Sequence, residues 1–241
     1  MEKIADGVYR LGSSRVNFYL IEDGAALTLV DTGFPGYSGQ VAAGLQELGK
    51  KPSDVKAIVL THTHTDHIGG APSLTEQTGA PVLVHRGEAP IATGKQKPVQ
   101  PTGFMANLWR PQLLSFVAHA VANKGAATIT VPEVTPYEDD EVLDVPGKLR
   151  VVHTPGHSPA HSALVLEDRR ILFCGDAMAT LAVHTGATGP MLHPFNQDRD
   201  EAIRSLGILA RVDADILAPG HGKPWAGPIA DAVAEARARL E

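Results

Sequence analysis

The apolar run Ala57-Ile58-Val59-Leu60 delivers His62, His64, Asp66 and His67 within one short stretch, which Gly69-Gly70 then closes. This crowding constrains the fold more than any other feature of the chain. Charged imidazoles side by side repel, and neutral ones that become buried need partners. A pair of divalent cations removes both costs. Such ions need more donors than one stretch supplies, so the fold has to bring distant strand ends to the same place.

Three other stretches repeat the design of a strand, a turn containing Gly, and a ligand-type side chain. Thr154-Pro155-Gly156-His157 follows a strand predicted at 149–153. Gly175-Asp176 ends a strand at 171–174, and Pro219-Gly220-His221 follows one at 215–218. Four strand ends can therefore aim seven donors at one point. His62, His64 and His157 form one nitrogen set, Asp66, His67 and His221 a second, and Asp176 can bridge them. Such a donor set favours zinc, although iron, manganese, cobalt or nickel also accept it. No cluster of ligating cysteines points to a closed structural site. Cys174 is the one cysteine, read as a small buried hydrophobe, and no intramolecular disulfide is available.

The remaining pattern predicts strands at 8–11, 17–21, 26–30 and 81–85, and helices at 40–48, 71–78, 199–212 and 229–240. Asp198 suits an N-cap. Two strand-rich halves with helices at their edges imply two packed sheets with helices outside. From about 88 to 132 the texture changes. Pro90, Gly94, Pro98, Pro101 and Gly103 precede an apolar, helical stretch, Phe104 to Val117, broken at Pro111. The expectation is an insertion over the site, with Phe104, Met105, Trp109, Leu113 and Phe116 as an apolar wall. The plainer alternative is a helix packed on the core.

A hydrophobic content of 43% predicts a globular core. A net charge of -6 without a basic cluster excludes nucleic acid as a partner. Residues Met1 to Gly12 lack the pattern of an export signal, and no apolar run suits a membrane span. The expectation is a cytoplasmic protein acting on a small molecule, with homo-oligomerisation not readable.

In this order, His-x-His-x-Asp-His, Gly-His, Gly-Asp and Gly-His resemble the metallo-β-lactamase superfamily, nearest in pattern to its glyoxalase II-like and lactonase-like members. The resemblance runs from Asp31-Thr32-Gly33 to His221. It implies an α/β fold, a four-layer αββα sandwich, as a single domain over residues 1–241 with two metal ions at one edge of the sheets. His62, His64 and His157 would bind the first ion and Asp66, His67 and His221 the second, with Asp176 between them. Asp31 would support the ligands from behind. It also implies hydrolysis by a hydroxide shared between the ions, with Asp66, His62 and His64 at the chemistry and no Ser or Cys nucleophile.

Departures from subfamily patterns narrow the substrate. Lactamases with a ligating cysteine carry it where Asp176 stands. Glyoxalase II has a helical C-terminal extension, whereas about one helix follows Trp225 here. Acyl-homoserine lactonases place a tyrosine at the position of Ala179, which leaves His184 or His193 to serve a leaving oxygen. The expected reaction is cleavage of an ester, lactone or thioester with a hydrophobic part. That part would contact Phe104, Met105, Trp109 and Phe116, with His184 or His193 nearby. The alternatives are an oxidoreductase like the persulfide dioxygenases, using one iron, and a β-lactam hydrolase. His161 is read as loop support, His85 as an ordinary strand-end residue, and His119 as a helix-surface residue.

Overall fold

The structure is a computed structural model describing residues 1–99 and 102–240, so Pro101, in the expected insertion, lies outside the described residues. The first seven strands form one sheet in chain order: β1 (Glu2–Ala5), β2 (Val8–Gly12), β3 (Asn17–Asp23), β4 (Ala26–Val30), β5 (Val55–Val59), β6 (Val82–His85) and β7 (Thr135–Tyr137). β1 to β4 run as an antiparallel meander, and β4 to β7 pair in parallel. Parallel pairing needs crossovers. These are α1 (Ser38–Glu47), then α2 (Thr65–Ile68) with α3 (Ala71–Thr78), then a long connection with α4 (Ala89–Ala92) and α5 (Pro111–Ala122).

The second sheet contains β8 (Arg150–His153), β9 (Ser162–Leu166) and β10 (Ile171–Gly175). A separate hairpin follows, β11 (Met178–Leu181) and β12 (Thr188–Leu192), and then α6 (Arg199–Leu209). The sheet is completed by β13 (Ile216–Pro219) and β14 (Trp225–Ala226), giving the order β14-β13-β10-β9-β8, and α7 (Ile229–Ala238) ends the chain.

Alternation along the strands sorts the layers. Tyr19, Ile21, Val30 and Val59 of the first sheet share one buried cluster with Leu164, Leu166, Ile171 and Phe173 of the second. The rings of Tyr19 and Phe173 meet at 5.1 Å. Leu20, Leu29 and Ile58 face the other way, onto Val41 and Leu45 of α1 and Leu74 of α3. Val165, Leu172 and Leu217 pack on Leu206 and Leu209 of α6 and Val233 of α7. The architecture is the expected αββα sandwich.

One edge is stitched across the two sheets. Asn17 N–H donates to Gly220 O at 2.8 Å and Ser162 N–H donates to Thr61 O at 3.0 Å across the two sheets, while within the first sheet Tyr137 Oη–H donates to Leu60 O at 2.7 Å. The C-terminal ends of β4, β5, β8, β10 and β13 meet here, so each donor-bearing turn starts from a fixed backbone.

The described residues of segment 88–132 both pack on the core and face the site. α5 starts at Pro111 itself, since proline is well tolerated in a first helical turn. Leu113 is fully buried against Val183 and Phe195, and Phe116 and Ala120 pack on the first outer core. His119 is more than a surface residue, because its Nε2 lies 2.6 Å from Tyr37 Oη. Trp225 packs with the α6 and α7 cluster.

Candidate metal centre

β5 ends directly before the histidine cluster. The single turn of α2 then puts Asp66 and His67 side by side, and Thr32 N–H and Oγ1–H hold its His67 carbonyl at 2.8 and 2.6 Å. Gly69 has to be glycine, because a Cβ there would stand 2.6 Å from Gly33 O. His62 Nε2 and His157 Nε2 lie 3.0 and 2.8 Å from His64 Nδ1. On the other side His221 Nε2 is 3.5 Å from Asp66 Oδ2. Asp176 reaches both groups: Oδ1 is 3.3 Å from His67 Nε2, and Oδ2 is 3.2 Å from His221 Nε2 and 3.4 Å from His157 Nε2. Gly220 allows this approach, since a Cβ there would lie 2.4 Å from Asp176 Oδ1.

The outer ring nitrogens explain why a cation fits. His67 Nδ1–H donates to Asp31 Oδ2 at 2.8 Å, His157 Nδ1–H to Phe195 O at 2.8 Å, and His221 Nδ1–H to Arg15 O at 2.6 Å. When neutral, each ring therefore turns a bare Nε2 lone pair inward. His67 Nε2 and Asp176 Oδ1 are buried and have no hydrogen-bond partner, although they face each other. Acceptors converging on acceptors are stable only around positive charge. Two donors bound to one zinc-like ion at 2.0–2.1 Å stand roughly 3.4 Å apart in tetrahedral geometry, close to the spacings here.

The electrostatics agree. Burial, reinforced by neighbouring imidazoles, holds His62 well below the ordinary histidine pKa, and burial does the same to His157. Burial also opposes charge on His67, but Asp176 and Asp31 outweigh it and raise that pKa well above the ordinary value. At His221, Asp176 and Asp66 likewise overcome burial. Burial disfavours the Asp176 carboxylate as well, yet His221, His193, His67 and His157 hold it well below the carboxylate range. The site thus attracts cations, whether protons or metal ions.

A family model described as the metallo-beta-lactamase superfamily matches residues 11–221. The chain belongs to this superfamily. The probable metallo-hydrolase YflN of Bacillus subtilis (strain 168) is 30% identical, over 92% of this chain and 86% of the relative. A metallo-beta-lactamase family protein from Thermus thermophilus, solved by crystallography, is 29% identical with a TM-score of 0.70, over 99% of this chain and 80% of that one. An atrochrysone carboxyl ACP thioesterase of Aspergillus chevalieri is 27% identical over 86% of this chain and 51% of its own length.

Of the side chains behind this candidate centre, Asp31 and His161 are expected from the sequence, whereas Glu88 carries little signal there. Asp31 sits at a left-handed φ of 58°. Its carboxylate accepts Thr61 N–H at 2.8 Å and Thr61 Oγ1–H at 2.9 Å besides His67. Glu88, 1% exposed, accepts the hydroxyl of Ser158 at 2.6 Å and that of Thr63. It thereby ties the loop of His62 and His64 to that of His157. His161 Nε2 accepts Asp176 N–H at 3.0 Å, and its Nδ1–H donates to Thr154 Oγ1 at 2.8 Å, so it braces the bridge residue. Cys174 is buried beside the site with its thiol pKa pushed up by burial.

His64, Asp66, His157, Asp176 and His221 line a cavity of about 800 Å³, with His62 and His67 fully buried behind them. Phe34, Ile91, Phe104, Phe116, Val117, Val183 and Phe195 supply apolar walls. Met105 and Trp109, expected in that wall, do not line it; they are 75% and 71% exposed. They fall in and beside a 3-10 turn at Met105–Asn107, before the helix whose phase aims Leu113 and Phe116 inward. Leu113 is buried behind the wall. His184 packs on Phe195 at 5.2 Å and is not among the cavity residues, whereas His193 is. Ala179 is buried in the β11–β12 hairpin, paired with Met191.

A separate group behaves differently. Gly87 N–H donates to His85 Nδ1 at 3.1 Å, which leaves His85 Nε2–H to donate to Asp139 Oδ1 at 2.7 Å. His153 Nδ1 lies 3.2 Å from Asp139 Oδ2. These groups satisfy one another without a cation.

Proposed function

We propose that this superfamily member is a metal-dependent hydrolase cleaving an ester, lactone or thioester with a hydrophobic portion. The observation that carries this is the convergence of seven donors, five of which line a largely apolar cavity. Two divalent ions, zinc foremost, would activate water at neutral pH and polarise the scissile carbonyl. His62, His64 and His157 would hold one, Asp66, His67 and His221 the other, with Asp176 between them. Asp31, Phe195 O and Arg15 O keep the imidazoles in the ligating tautomer. Asp66, half-buried and facing the cavity, is placed to hold the attacking water by a hydrogen bond. The apolar walls would receive an acyl chain or aromatic body and exclude water around the carbonyl. The Aspergillus thioesterase supports this class of bond.

The test is a panel of aryl esters, lactones and acyl thioesters of increasing chain length on zinc-loaded protein. Turnover that rises with chain length is expected. No turnover above the metal-free control sinks the proposal, as does one iron per chain with oxygen consumption.

Phe116 lies edge-on to His221 with ring centroids 5.9 Å apart. Phe116→Ala is expected to raise KM for a long-chain substrate about tenfold, since a buried aromatic contributes roughly 1.5–3 kcal/mol and 1.4 kcal/mol is tenfold. Metal content is expected to stay unchanged. Steady-state kinetics with metal analysis checks both.

A further inference from the structure

His193 follows β12 in the turn before α6, and it is 4% exposed. Its Nδ1 lies 2.9 Å from Phe195 O, the carbonyl that also orients His157. Phe195 N–H approaches the same nitrogen at 3.3 Å. One ring nitrogen cannot both donate and accept, and the shorter contact makes Nδ1 the donor. Nε2 is then a bare acceptor, 3.3 Å from Asp176 Oδ2 and open to the cavity. The two rings sharing Phe195 O stand at 89° with centroids 4.6 Å apart, and both bring Nε2 to the same carboxylate oxygen.

The loop that carries His193 is fixed from outside. Asn196 Nδ2–H donates to His193 O at 2.6 Å, and Thr102 Oγ1–H donates to Asn196 O at 2.7 Å. The ring is therefore held in place with its lone pair against an anionic oxygen. An acceptor in that position repels its neighbour unless a cation lies between them. His161, the other additional imidazole beside Asp176, differs because both its nitrogens have protein partners.

We propose that His193 is a direct ligand of a divalent transition-metal ion, shared with His157 and Asp176, and so an eighth donor in a centre whose sequence pattern supplies seven. This rests on the metal centre proposed above. An added neutral nitrogen raises coordination number and takes a position that water would otherwise fill. With His62, His64, His157 and Asp176 it would give that ion five protein donors, so that four would remain if substrate displaced one.

The test is cobalt(II) titration of metal-free protein, read by visible ligand-field absorption and by affinity. His193→Ala and the bulkier His193→Gln are compared with wild type and with His62→Ala. Circular dichroism of the metal-free forms checks that each variant is folded. Both His193 variants are expected to change the band shape and intensity and to weaken one cobalt-binding step about 10–100-fold, the scale seen when ligand support is lost. If spectra and affinities of both variants superimpose on wild type while His62→Ala differs, His193 is not a ligand and this inference falls alone. If His62→Ala also superimposes, the metal centre itself is overturned.

Discussion

Asp176→Ala is expected to leave no more than one metal ion per chain and to lower kcat/KM by about 10³-fold, because several kcal/mol of transition-state stabilisation depend on the ions and 1.36 kcal/mol is tenfold. The cause is geometric. Among the described residues Asp176 is the one carboxylate that reaches both donor groups, at 3.3 Å from His67 and 3.2 Å from His221 on one side and 3.4 Å from His157 on the other. Removing it leaves a cluster of buried imidazoles with much less negative charge to hold two dications together. Asp176→Asn keeps one oxygen and the volume but loses the charge, so it is expected to fall between wild type and Ala. Elemental analysis and turnover on the best substrate of the panel check the series. Two tightly held ions and kcat/KM within tenfold of wild type in Asp176→Ala would move the centre away from this residue.

The donors were legible in the sequence because each is a side chain of distinctive chemistry placed just after an apolar strand run. Their ordered spacing also carried the resemblance, and with it the sandwich. What orients them was far less legible. Phe195 O and Arg15 O are main-chain carbonyls, and any residue type presents one. Glu88 looks like any solvated glutamate until the fold buries it between Thr63 and Ser158. The apolar run 104–117 announced a wall, but hydrophobicity does not state direction. Helical phase from Pro111 onward aims Phe116 inward, while Met105 and Trp109, before the helix, face solvent. The short strands β1, β7 and β14 were missed because a few residues, polar or interrupted by proline, show no period. The β11–β12 hairpin was missed for a related reason, since Gly189 and Pro190 break its second strand.

The second large effect is expected behind the ligands. Asp31 is 3% exposed, and its carboxylate accepts from Thr61 N–H, Thr61 Oγ1–H and His67 Nδ1–H. Asp31→Ala strands at least two buried donors, each costing roughly 1–3 kcal/mol. It also puts alanine at φ 58°, where a short polar side chain is better tolerated. A loss of about 3–5 kcal/mol of stability follows from these two costs. The metal centre is expected to weaken too, because His67 loses the acceptor that fixes its tautomer. Asp31→Asn separates the two consequences. Its amide oxygen can still accept from Thr61, and asparagine is at home in the left-handed region, so most of the stability is expected to return. One of its two carboxylate acceptors has become an N–H donor facing the His67 ring, so the affinity for the second ion is expected to stay about 10–100-fold down. Denaturant unfolding of the metal-free forms, set beside metal titration, reads the two effects independently. Equal recovery of both in Asp31→Asn would mean that Asp31 serves the fold and leaves His67 to orient itself.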